Sequence, residues 1–85
     1  MASEQRTHEI AQAMRDAIRA NRVAVSCDER VSEADAAQLL GLHPGTLKNL
    51  RHQGTGPPAY RIPVAGSRIS YRVDDLAAWV EARRH

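Results

Sequence analysis

A chain of 85 residues with one cysteine, Cys27, and four scattered histidines, His8, His43, His52 and His85, has no internal disulfide and no zinc-type ligand spacing, so a small core must hold it together without either staple. No apolar run approaches the roughly 20 residues of a membrane span, and the opening MASEQRTHEI lacks the apolar core of a signal peptide, which predicts a cytoplasmic protein without metal or other cofactor. The net charge of +2 hides an asymmetry: five Arg face seven acids in residues 1–42 (−2), whereas seven basic residues face three acids in residues 43–85 (+4), and no acid occurs between His43 and Arg72.

Residues 4–20 place Ile10, Met14, Ala17 and Ile18 at i, i+4, i+7 and i+8, one narrow apolar stripe on a charged helix. Ser3 is the expected N-cap, with Arg19 and Arg22 suited to the C-terminal end. An isolated helix of this length is marginal in water, so it must dock on its own domain, on a neighbouring copy or on another protein, or fray. The segment NRVAVSCDER breaks the period and reads as a connector with a short extended piece at Val23 to Val25. Residues 1–30 are thus a helix and connector ahead of a domain over residues 31–85.

A second helix starts at Ser32, a capping-box variant with Asp35 three residues on, continues through Ala36, Ala37, Leu39 and Leu40, and stops at Gly41. The third helix, PGTLKNLRHQ, has Pro44 in its first turn, where the missing N–H costs nothing, His43 at the cap and Gly54 just past its end. Only Leu42 and His43 separate it from Gly41, and two short helices joined by so tight a turn form the helix-turn-helix pattern. After GTGPP, residues Ala59–Ile62 and Arg68–Arg72 read as two short strands joined by PVAGS, with Gly66 free to take positive φ. A basic hairpin directly after a helix-turn-helix is a wing. Asp74 or Asp75 then caps a last helix whose Leu76, Trp79 and Val80 form an apolar face, with Trp79 read as core.

The expected fold is mainly α with a small two-stranded β wing: a winged helix-turn-helix plus an extra N-terminal helix. With Leu47 and Leu50 turned inward, steps of about 100° per residue put Gly45, Lys48, Asn49 and His52 on the opposite side of the third helix, with Thr46 and Arg51 on the flanks. That face is small or hydrogen-bonding throughout. Asn pairs bidentately with adenine, Lys reaches the acceptors of guanine, and Gly45 lets the helix N-terminus approach phosphates. On the wing, Ser67 and Arg68 are placed at the tip to enter a minor groove, while Arg61 and Arg72 contact phosphates.

The stretch VSEADAAQLLGLHPGTLKNLRHQGTGPPAYRIPVAGSRISYRVDDLAAWVEARR resembles the excisionase-type, MerR-like winged helix-turn-helix domains of phages and integrative elements. Its carriers are SEADAAQLLGL, the helix end TLKNLRHQG, the following GPP, the wing ending RISYR and DDLAAWVEAR, from about Val31 to Arg84. The resemblance implies double-stranded DNA binding, with the third helix in the major groove and the wing in the adjacent minor groove. It also implies a frequent role as a recombination directionality factor that bends attachment-site DNA and steers a tyrosine integrase toward excision. Transcriptional regulators of prophages share the domain. Two departures from the pattern are His43 at a cap usually held by Ser or Thr, and Leu50 where an aromatic residue is common.

A chain little longer than such a domain leaves no evident effector pocket or long dimerisation helix, and several copies side by side on repeated sites would supply cooperativity and site specificity. Catalysis is not expected: no nucleophile is paired with a base, no Gly-rich phosphate loop is present, and Asp74 and Asp75 are explained by a helix start. A pure protein-interaction module, suggested by the N-terminal helix, is the remaining competitor.

Overall fold

The computed structural model describes residues 2–62 and 68–85. In chain order these form α1 (Ala2–Ala20), β1 (Arg30–Ser32), α2 (Glu33–Leu40), α3 (Pro44–Gln53), β2 (Tyr60–Ile62), β3 (Arg68–Arg72) and α4 (Val73–Ala82). The architecture is a winged helix-turn-helix with an additional N-terminal helix, and its sheet has three antiparallel strands in the order β1-β3-β2. The added strand is β1. The extended piece expected at Val23 to Val25 is not a strand; the connector instead turns tightly at Ser26 to Arg30, with Glu29 in the left-handed region, and delivers Arg30–Ser32 to the edge of β3. Val31, flanked by polar residues, points into the core opposite Tyr71, and both are fully buried.

Helix ends follow local chemistry. Ser32 caps α2 by accepting from the Asp35 N–H at 3.1 Å while its hydroxyl donates to the Asp35 carboxylate. At α3 the Nδ1 of His43 accepts from the Gly45 N–H at 3.0 Å, so imidazole replaces the usual hydroxyl in the same capping role. Gly41 and Gly54 close α2 and α3 in the left-handed conformation, each followed by a residue whose N–H reaches back into the last turn. Two expected caps differ. Ser3 lies inside α1, where its carbonyl accepts from the Thr7 hydroxyl, and α4 begins at Val73 with Arg72 as its cap, which leaves Asp74 and Asp75 in the first turn.

The core is one cluster in which α1 contributes Ala11, Met14 and Ile18, α2 Ala36 and Ala37, α3 Leu47, the sheet Val31 and Tyr71, and α4 Val73, Leu76 and Ala77. The stripe of α1 therefore packs mainly on α4 of its own chain, and the packing is flanked by the ion pairs Arg6–Glu81 at 2.7 Å and Arg15 with Glu29 and Asp74, each at 2.8 Å. Trp79, expected in the core, is half-buried at its edge: the indole N–H donates to the Thr55 carbonyl, Arg83 stacks 3.9 Å from the ring, and together they tie the end of α4 to the loop after α3. Between α1 and α2 lies an open cleft of about 840 Å³, lined in part by Ile10, Ala13, Met14, Leu39, Leu40 and Val80, where the sequence suggested no pocket. None of the helices described is long and apolar enough to cross a membrane.

Candidate nucleic-acid interface

The recognition-type helix α3 is anchored by Leu47, fully buried, with Leu50 half-buried beside it. Gly45, Thr46, Lys48, Asn49 and His52 are all exposed, as the inward placement of the two leucines requires. Arg51 behaves differently. Its guanidinium is turned to Glu33, the first residue of α2, with Nε donating to Oε2 at 2.8 Å and a second N–H donating to Oε1 at 3.2 Å. Only 18% of the Arg51 side chain and 21% of the Glu33 side chain remain exposed, so this cation is engaged inside the molecule rather than offered on the flank. Among the described residues it is the one predicted contact held in an ion pair.

The sheet register separates the wing residues. Cross-strand partners share a face, so Arg68, Ser70 and Arg72 of β3 lie with Ile62, Tyr60, Ser32 and Arg30 on the outer side. Ile69 and Tyr71 lie on the side of the core with Val31, and Arg61, opposite Ile69, belongs to that second face although it is exposed at the edge strand. Arg61 and Arg72, grouped from the sequence as a pair of phosphate ligands, are thus on opposite faces. Arg68 is exposed, while Arg72 is half-buried, with its Nε 3.4 Å from the Asp28 carbonyl. Ser67 and Gly66, expected at the hairpin tip, lie outside the described residues.

Three residues of this region are missed by reading the sequence. Glu33 and Tyr71 determine where Arg51 points: the buried Tyr71 hydroxyl donates to Glu33 Oε2 at 2.6 Å. Arg30 joins the outer sheet face, where it donates to the Ser70 hydroxyl and pairs with Asp28 at 2.8 Å. The hydrogen bond from Arg30, with help from the Ser26 hydroxyl, holds the Asp28 carboxyl down to about 2. An available signal was the alternation Arg30-Val31-Ser32, with a β-branched residue between two polar ones. Among the described residues no group of three or more acidic, His or Cys side chains could hold a metal ion.

A tight two-helix turn, a second helix with an acid-free exposed face and a following basic hairpin define a small DNA-binding protein of the winged helix-turn-helix class. The chain belongs to the helix-turn-helix domain family, whose model matches residues 31–84, well over half of its length. No curated protein matches it.

Proposed function

We propose that this protein is an excisionase-like architectural factor: it binds attachment-site DNA, bends it, and directs a tyrosine integrase toward excision. The observation that carries the DNA-reading part is the exposed face of α3. All five of its small or hydrogen-bonding residues are exposed; in this reading Asn49 and Lys48 read base edges, Thr46 and His52 hydrogen-bond beside them, and Gly45 lets the helix start approach a phosphate. Arg68 and Ser67 of the wing enter the neighbouring minor groove, with Arg61 and Arg72 on flanking phosphates. Arg51, held by Glu33, supports this surface from behind. The architectural role is favoured by the resemblance of the 31–84 region to excisionase-type domains and by α1, the longest helix, being folded back on its own domain. Binding is cooperative between copies, and the protein works in the cytoplasm.

Two measurements test the proposal. With Arg61 and Arg72 on phosphates and Lys48 and Arg68 in the grooves, the slope of log K against log salt should lie between about −1.8 and about −3.6 for duplex DNA. A flat response in a gel-shift series would remove the DNA reading in favour of a protein-interaction module. Reconstituted excision with the integrase and attachment sites should then depend on this protein. Unchanged excision alongside a responding nearby promoter would establish the alternative, a winged-helix transcriptional regulator of a prophage or integrative element.

A further inference from the structure

We propose that Glu33 is the positioning residue of the DNA interface: its single carboxylate sets the roll of the recognition helix and ties it to the wing. This rests on the DNA-binding reading above. Helix α3 has one fully buried side chain, Leu47, with Leu50 half-buried beside it, and so narrow an apolar contact fixes rotation about the helix axis only weakly. Arg51 follows Leu47 by four residues, on the same face one turn later, and its forked bond to Glu33 supplies the second point that fixes rotation. The same Glu33 Oε2 accepts from Tyr71, which is fully buried in the central strand of the sheet. One carboxylate therefore joins the start of α2, the last turn of α3 and the C-terminal end of β3. Tolerances in recognition are narrow, about 0.5 Å and 10–20°, so a roll of more than about 20° would carry Asn49 and Lys48 off the base edges.

The alternative is that Arg51 leaves Glu33 and contacts a phosphate in the complex. The two differ in what they do to specificity and to salt dependence. The probes are a duplex selected by the wild-type protein from a random-core library and a scrambled duplex of equal composition. Glu33→Gln and Tyr71→Phe should each weaken binding to the selected duplex about tenfold, the scale of one base contact, with less than a twofold change on the scrambled duplex and an unchanged salt slope. Arg51→Lys, which keeps the charge and loses the fork, should behave in the same way. In the free protein the Arg51 Nε–H should exchange slowly by NMR, and this protection should be lost in Glu33→Gln.

Tyr71→Phe removes one oxygen and keeps the ring in the core, so it carries the test if Glu33→Gln does not fold. Full retention of specific affinity by folded Tyr71→Phe and Arg51→Lys would overturn the proposal, as would equal losses on both duplexes. A fall of about one in salt slope for Arg51→Gln would assign Arg51 to a phosphate instead. Wild-type protein that binds neither duplex would fail the DNA reading itself and this proposal with it, whereas wild-type binding with unaffected variants fails the proposal alone.

Discussion

Arg22 closes α1 in the left-handed region at φ 53, with the Val23 N–H reaching the Ile18 carbonyl and its own N–H reaching Arg19, the same closure for which α2 and α3 use Gly41 and Gly54. A non-glycine residue there costs about 1 kcal/mol or somewhat more. Arg22→Gly should therefore raise the urea midpoint, whereas Gly41→Ala, at φ 72, should lower stability by about 1 kcal/mol. Glu33 makes a pH-dependent contribution. The Arg51 guanidinium, more than the Tyr71 hydroxyl, holds its carboxyl below the ordinary value of 4.5 against the opposing effect of partial burial. A lowered folded value stabilises the protein above the ordinary carboxylate range, and this is lost as pH falls through the folded value. The Tm gap between wild type and Glu33→Gln should accordingly be largest near neutrality and close on acidification below 4.5. For base reading, Asn49→Ala or Lys48→Ala should cost about 1–3 kcal/mol on a selected duplex and little on random DNA. Equal losses on both, measured by fluorescence anisotropy, would make these residues positioning groups.

At the scale of elements, α1 completes the core. Ala11, Met14 and Ile18 cover α4, whose Leu76 and Ala77 are fully buried. Met14→Ala should cost about 2–4 kcal/mol, a large share of the stability of so small a domain. Deleting residues 1–22 should lower Tm sharply while leaving the steepness of DNA binding in the fraction that stays folded unchanged. A truncated protein with an undiminished Tm and non-cooperative binding would instead mean that α1 serves a neighbouring copy. The wing is likewise more firmly held than a free hairpin, because β3 has a partner on both sides and an isolated two-stranded hairpin is marginal in water.

The whole molecule presents its charge unevenly. Several acids in the N-terminal half are held in pairs, Glu29 with Arg15, Asp28 with Arg30 and Glu33 with Arg51, while Lys48 and Arg68 stay exposed. Smoothly bending a site of 20–30 base pairs costs about 1–6 kcal/mol, which is shared more easily by several adjacent copies than borne by one. Circularly permuted duplexes with repeated sites should thus show a bend that grows with the number of copies bound. Occupied repeats with unaltered mobility would argue against an architectural role.

The helix boundaries at Gly41, Pro44 and Gly54, the inward leucines of α3 and the alternating β3 were legible in the chain itself, because caps, turns and periodicity act over a few residues. So was the acid-free exposed face of α3, which follows from the helical repeat once Leu47 is placed. What only the tertiary structure decided depends on residues distant in sequence. Val31 gains its strand by pairing with Tyr71, α1 finds its cover on α4, and Trp79 is drawn from the core to Thr55. Arg51 shows the limit most clearly: its helical position alone places it on an exposed flank, and it is turned inward by a carboxylate 18 residues earlier and a hydroxyl buried 20 residues later, neither of which its local pattern records.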